Sequence, residues 1–291
     1  MNEFDLDRYL RASRRLDLAG IDWGRVREHA LSNEEARCLS YMMDIESHTS
    51  IYLRDLLATR AAHEPDITAF LSCWAYEELW HGEALSRFLG EAGHALPPDD
   101  ERPAGDAAYP TRVARNGAIR RALSKRGTMG HLATMAGSAM IPDFAALHMT
   151  WGAVNELSTL TGYNALIEKS GHPILIELLE RIIKDERRHF AFYRAQARMR
   201  LARSAVARRI TRWAMEHLWA PVGTGVRPQA ETDFVVSWLF GDEPGRRTVA
   251  QMDRTIGELP GFTGTSIVRR AREAALSRVA RINTPPMPQF A

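Results

Sequence analysis

The sequence predicts an all-α protein built on a four-helix bundle, and three observations carry that prediction. Four long segments, at about 33–61, 65–90, 142–170 and from 173 to about 202, repeat apolar residues at helical steps of three and four. Helix punctuation bounds them: Ser32 or Asn33, Pro65, Pro142 and Pro173 at the starts, Gly90 or Gly93 and Gly171 at the stops. Each segment also carries a glutamate on its apolar stripe, namely Glu46, Glu78, Glu156 and Glu186.

Residues 1–31 read as a lead-in helix or two, broken near Gly20 and Gly24. In the first bundle helix Glu34 and Glu35 suit the positive N-terminus, and Leu39, Met42, Met43, Ile45, Leu53, Leu56 and Leu57 surround Glu46. Asp44 and His48 fall off that stripe and are expected to face solvent or to support the ligands from outside. The second helix runs Ile67, Phe70, Leu71, Trp74, Leu85 and Phe88 straight through Glu78 and His81. Trp74 packs on that face; Glu77 points elsewhere, to the surface or to support a ligand from outside, and Trp80, off the stripe, belongs against another helix or a subunit interface.

From 95 to 141 the pattern changes to an irregular polar stretch, a basic helical piece (Arg112 to Arg126) and a small-residue segment, Gly127 to Met140. A connection of this length returns along the bundle and can cover the mouth of a cavity. The third helix places Thr159 one turn after Glu156, with Gly152, Ala153 and Gly162 leaving room beside it. The fourth carries Leu175, Leu178, Leu179, Ile182 and Ile183 up to Asp185 and Glu186, then His189. Arg194 to Arg212 reads as a solvated face, with a docking surface for an acidic partner as the alternative. A loop at 219–225, a helix near 231–240, a last amphipathic helix near 264–282 and a proline-rich tail complete what is expected to be a single domain, with a bundle at about 33–202 and a helical extension at 203–291.

The chemistry lies in the repeated Glu-x-x-His: Glu78 with His81, and Glu186 with His189. Residues three apart share a helix face, so both pairs fall on the buried stripe, where an unpaired charge is very costly. One such pair is weak evidence, but two, each preceded by a helix with a lone striped glutamate, complete the donor set of a two-metal carboxylate bundle. The halves match in interval: 32 residues from Glu46 to Glu78 and 30 from Glu156 to Glu186. Oxygen and imidazole donors suit two iron ions, with manganese as the alternative.

Composition bounds the rest. Hydrophobic residues make up 45% and the net charge is +2, which suits a globular chain and argues against a general nucleic-acid binder. Cys38 and Cys73 read as buried free thiols, and no membrane span or signal peptide is evident, so a cytoplasmic location is expected. No Gly-rich dinucleotide fingerprint or cysteine cluster supplies electrons, so an external donor such as a ferredoxin is expected.

Trp74-Ala75-Tyr76-Glu77-Glu78-Leu79-Trp80-His81-Gly82 and Asp185-Glu186-Arg187-Arg188-His189, over about residues 33–222, resemble the soluble acyl-acyl-carrier-protein desaturases. That family is ferritin-like and uses a diiron centre and oxygen to place a cis double bond in a carrier-bound acyl chain. The resemblance implies a ferritin-like fold, oxygen as co-substrate, acyl carrier protein as partner and a homodimer. It implies that Thr159 stands near the oxygen site and that Trp74 and Asp185 lie on the electron route. Alternatives are a related oxygenase that hydroxylates or N-oxygenates a small or carrier-bound metabolite, an iron-storage protein, or a bundle that binds metal for stability.

Overall fold

In the computed structural model, which describes residues 4–94, 125–141 and 143–283, the regular elements are helical and an isolated bridge, Thr224 with Arg227, is the only β feature among the described residues. A short helix α1 (Leu6–Ala12) and a 3-10 turn (Trp23–Glu28) lead into α2 (Asn33–Leu57) and α3 (Pro65–Glu91). Next come α4 (Lys125–Met140), α5 (Phe144–Lys169) and α6 (Pro173–Arg203). The C-terminal part is α7 (Ala205–Leu218), α8 (Gln229–Phe240), α9 (Glu243–Gly257) and α10 (Ile267–Asn283). The basic piece from Arg112 to Lys125, Pro142 and the proline tail fall wholly or largely outside the described residues, Lys125 itself opening α4.

Local chemistry explains the boundaries. Ser32 caps α2 with a reciprocal capping box: its hydroxyl accepts from the Glu35 amide, and the Glu35 carboxylate accepts from the Ser32 amide at 2.9 Å. The helix stops at Leu57 rather than near 61. There Thr59 begins a separate 3-10 turn, its hydroxyl accepting from the Ala61 amide. The arginine-rich stretch is two helices, because Ser204 both ends α6 and caps α7 through the Ala207 amide. Helix α9 was not expected from the pattern. Its many arginines mask a buried stripe of Val249, Met252 and Ile256, and Asp242 caps it through the Gly245 amide.

Helices α2 and α3 pack along one another, as do α5 and α6. The core divides into two apolar blocks. One gathers Ile67–Trp74 of α3, Ala145–Leu157 of α5 and Phe192–Leu201 of α6. The other gathers Ala36–Met43 of α2, Ala84–Leu89 of α3, Tyr163–Leu166 of α5 and Ile174–Ile183 of α6. Along α3 and α5 the chain passes from the first block to the second; along α2 and α6 it passes the other way. So α3 and α5 run parallel, and the connection between them must return along the bundle, as their order requires. The four striped glutamates fall at the level where one block gives way to the other.

The C-terminal helices close over α2 and α5. Tyr41 donates to the Val222 carbonyl at 2.6 Å, and the backbone there comes so close that a Cβ on Gly223 would stand 2.1 Å from the Tyr41 oxygen. Gly223 also has φ +93°, so both space and conformation demand glycine. Asp44, expected to face solvent or to support the ligands from outside, is buried and ion-paired with Arg227 of this same loop at 2.5 Å. Asp253 accepts from the Val268 and Arg269 amides at the start of α10, and Arg278 forks onto buried Asp233 with two 2.8 Å bonds. Trp80 stacks beneath the guanidinium of Arg15, 3.9 Å from ring centre, so the N-terminal lead-in accounts for it. Both cysteines are free, Cys38 buried and Cys73 half-buried.

Ser32→Ala removes one half of the capping box. It should cost about 1 kcal/mol and lower the thermal midpoint by roughly 2 °C, measured by circular dichroism, with metal binding unchanged.

Candidate metal centre

The ligand plane is built by helix geometry. Glu46, Glu78, His81, Glu156, Glu186 and His189 project from α2, α3, α5 and α6 into one buried volume, none more than 5% exposed. Two overlapping groups form there. Glu46, Glu78, His81 and Glu186 offer atoms within 4.8 Å of one another, as do Glu78, Glu156, Glu186 and His189. Glu78 and Glu186 belong to both groups, the position of bridging carboxylates. Glu46 with His81 and Glu156 with His189 lie at opposite ends.

Separations match a shared ion. His81 Nδ1 stands 3.1 Å from Glu78 and 3.1 Å from Glu186, and His189 Nδ1 stands 3.1 Å from Glu78. Two donors about 2.1 Å from one ion, at a right angle, lie about 3.0 Å apart. Both oxygens of Glu186 and Nδ1 of His189 are buried with no hydrogen-bond partner, a costly state that a cation relieves. The donor set therefore fits two divalent ions.

Protonation tells the same story. Burial, then repulsion from Glu78 and Glu186, pushes Glu46 far above the ordinary carboxylate range. Burial, then Glu186 and Glu78, does the same to Glu156. Glu78 is held well below that range; burial opposes this, but the hydrogen bond from Glu46 and the charge of His189 prevail. His81 and His189 are raised against burial, His81 chiefly by its bond to Asp185 and the adjacent Glu186 carboxylate, His189 chiefly by the charge of Glu78. Glu46, Glu156, His81 and His189 thus favour holding protons where no cation is bound, and Glu78 does not.

Around the donors the two motifs are cross-wired. Each imidazole turns Nε2 outward to the acid that precedes the other motif's glutamate. His81 Nε2 meets Asp185 at 3.3 Å, and His189 Nε2 meets Glu77 at 2.7 Å. Arg188 then donates to both acids, 3.0 Å to Glu77 and 2.7 Å to Asp185. Such outer partners fix the ring that ligates. Glu77 is wholly buried and also accepts from Tyr9 of α1 at 2.8 Å. Trp74 donates Nε1 to Glu156 at 3.1 Å, and Tyr163 donates a short bond to Glu46. Thr159 does not bond its own backbone as neighbours Ser158 and Thr161 do; it lines cavities on both sides.

Sequence reasoning missed Tyr9, Arg188 and Tyr193, and left Glu77 open between the surface and support of a ligand, of which the structure shows the latter. Tyr193 continues the stripe one turn past His189, and its ring fills the space above Gly152, where a Cβ would stand 2.2 Å away. Paired acids just before each glutamate hint at the cross-wiring. Tyr9 comes from a separate element and leaves no such mark.

Two cavities meet at the centre. The larger, about 510 Å³, is bordered by Glu46, Glu78, Glu156 and Glu186, with Trp74, His148, Trp151 and Tyr193 along its walls. Thr134, Gly137 and Ile141 roof it, so the end of the connection between α3 and α5 covers this cavity. The α4 segment is pinned over α2 by His131 to Asp55 at 2.7 Å and by Ser138 to the Arg60 amide at 2.8 Å. The smaller, about 100 Å³, runs from Glu46 and Thr159 past Gly162 between α2, α5 and α8–α10, and is almost wholly apolar. Ile45, Glu46, Thr159 and Val222 border both.

No family model matches the chain, and no curated protein matches it. Among solved structures the chain is similar to a mutant of an R2-like ligand-binding oxidase with an aerobically reconstituted Mn/Fe cofactor. The TM-score is 0.50 at 16% identity, over 96% of this chain and 90% of that one. The likeness establishes a ferritin-like helical fold. No helix among the described residues is long and apolar enough to cross a membrane.

Metal content separates the donors by position. Glu186→Ala, at a shared position, should abolish binding of both ions, while Glu156→Ala should remove one; elemental analysis of the reconstituted protein reads the ratio. The raised positions of Glu46, Glu156, His81 and His189 mean that loading expels protons, so affinity should fall as pH drops from 8 to 6. An indicator-dye titration in weak buffer measures the release.

Proposed function

We propose that this chain is an oxygen-dependent dimetal oxidoreductase acting on an unactivated carbon of an extended apolar chain. In its most specific form it desaturates an acyl chain carried by acyl carrier protein. One observation carries the reading: the carboxylates of the cluster border a walled cavity, and a second, apolar cavity adjoins it at Ile45, Glu46, Thr159 and Val222. A storage protein needs a path for ions; it does not need an apolar slot beside its donors. Hence catalysis is favoured over storage or purely structural metal.

A pair of iron or manganese ions held by Glu46, Glu78, His81, Glu156, Glu186 and His189 would supply the reducing power and Lewis acidity that activate dioxygen. The chain's residues do the rest. Asp185 and Glu77 orient the imidazoles, and Arg188 locks both acids in place. Tyr163 and Trp74 hold the outer carboxylates by one oxygen each. The apolar lining of the slot keeps water from the reacting carbon. Thr159 offers a hydroxyl, without a backbone partner, where the two cavities join. Trp74 and Asp185, each in contact with a donor, are the proposed route for electrons from an external donor such as a ferredoxin.

Carrier docking has a surface to use. Arg194, Arg200, Arg208 and Arg212 are spent on Glu258, Glu64 and backbone carbonyls that hold the extension together. Exposed Arg198, Arg203 and Arg209 flank them and suit an acidic partner. A second reading, hydroxylation or N-oxygenation, is favoured by the polar side chains Thr49, Asp55, His148 and Asn155 in the larger cavity.

A single turnover tests the proposal. Metal-loaded protein, chemically reduced and mixed with oxygen and a panel of acyl-carrier proteins, should yield an acyl product two mass units lighter. A product sixteen units heavier would establish the second reading, and oxygen consumption with no changed chain would overturn both. Gly162→Phe should block the slot and cut turnover of long chains at least tenfold with metal content unchanged.

A further inference from the structure

His148 lies in the larger cavity with nothing to bond. It sits on α5 two turns before Glu156, on the same face, which places it about 12 Å along the helix from the donor plane. It is 7% exposed, and its Nδ1 is buried with no hydrogen-bond partner. Its surroundings are Phe144, Leu147, Trp151 and the ring of Tyr193, whose centroid is 6.2 Å from that of the imidazole. A leucine would fill such a place without leaving a polar atom unsatisfied, and a buried polar group without a partner costs free energy.

Burial, and then the charge of Arg200, drive this imidazole down to about 3, so it is neutral at physiological pH. It therefore offers one N–H and one lone pair, and no charge. Nearby polar groups in the cavity are mostly engaged: Asp55 with Arg54 and His131, Asn155 with Trp219. Nothing in the fold uses the ring, yet the cavity it lines reaches Glu78, Glu156 and Glu186.

We infer that His148 is a specificity-determining residue that hydrogen-bonds a neutral polar group of the substrate, a hydroxyl or an amide, and so sets which carbon of the attached chain reaches the metal centre. The inference rests on the proposed reading of the cavity as a substrate site, but its test needs no turnover. A neutral imidazole in apolar walls selects against a free carboxylate, which it cannot neutralise.

The test is a titration of the metal-loaded full chain with four eight-carbon probes, followed by the fluorescence of Trp74 and Trp151 in the cavity wall. The probes are 1-octanol, N-methyloctanamide, octanoate and 1-chlorooctane. Octanol and the amide should bind more tightly than chlorooctane and octanoate. His148→Leu should weaken octanol and the amide about tenfold, the size of one hydrogen bond, while chlorooctane is unaffected. His148→Asn should recover part of the loss. Equal loss for octanol and chlorooctane would mark a packing role and overturn the inference, as would tightest binding of octanoate or binding of no probe. If the discrimination holds while no oxygen-dependent product forms, the subsite stands and the oxidase reading falls. If product forms but His148→Leu binds octanol normally, the subsite falls and the oxidase reading stands.

Discussion

Four carboxylates meeting in the middle of an apolar bundle is the constraint on which the rest of the structure depends. Each would cost several kcal/mol if buried charged and alone, and they also repel one another. Protons on Glu46, Glu156, His81 and His189 resolve that conflict without metal; two divalent ions resolve it with metal. Either solution requires the donors to stay within 4.8 Å. The two apolar blocks above and below provide that restraint, because dense packing transmits any shift of one helix to the others.

The cross-wired outer layer follows from the same requirement. Because α3 and α6 run antiparallel, the acid one residue before each motif glutamate lies beside the other motif's histidine. Glu77 thus serves His189, and Asp185 serves His81. Arg188, two residues after Glu186, reaches both acids with one guanidinium nitrogen. Burial opposes ionisation, but the facing imidazoles first, His189 for Glu77 and His81 for Asp185, and then the charge of Arg188, hold both acids below the ordinary carboxylate range. The chain thereby orients two imidazoles with three side chains. The contribution of α1 through Tyr9 links this layer to an element outside the bundle.

Much of the fold and the donor set was legible in the sequence, because a 3.6-residue period fixes which side chains share a face. Glu46, Glu78, His81, Glu156, Glu186 and His189 could all be placed on buried stripes that way. What periodicity does not carry is distance between elements. Asp44 lies off its stripe, yet it is buried by a loop 183 residues away in sequence. Helix α9 was hidden because its buried stripe is only Val249, Met252 and Ile256 among arginines and glutamines. The end of α2 was missed where a single hydroxyl, Thr59, intervened.

The division of labour between bundle and extension follows from where those readings succeeded. The donors sit on α2, α3, α5 and α6, whose pattern is dictated by the core and by the ions it must accept. The apolar slot is different: Val235, Leu239, Val249, Met252 and Val268 come from α8–α10, and Val222 from the loop before them. Replacing those side chains reshapes the slot without touching a donor or its outer partner. The same separation holds on the other side, where Thr134, Gly137 and Ile141 come from the end of the crossover connection. The bundle can therefore keep one set of donors while the segments laid over it shape the cavities beside them. In this chain His148, Gly152, Glu156 and Thr159 of α5 line the larger cavity in succession, and Thr159 lines the slot as well.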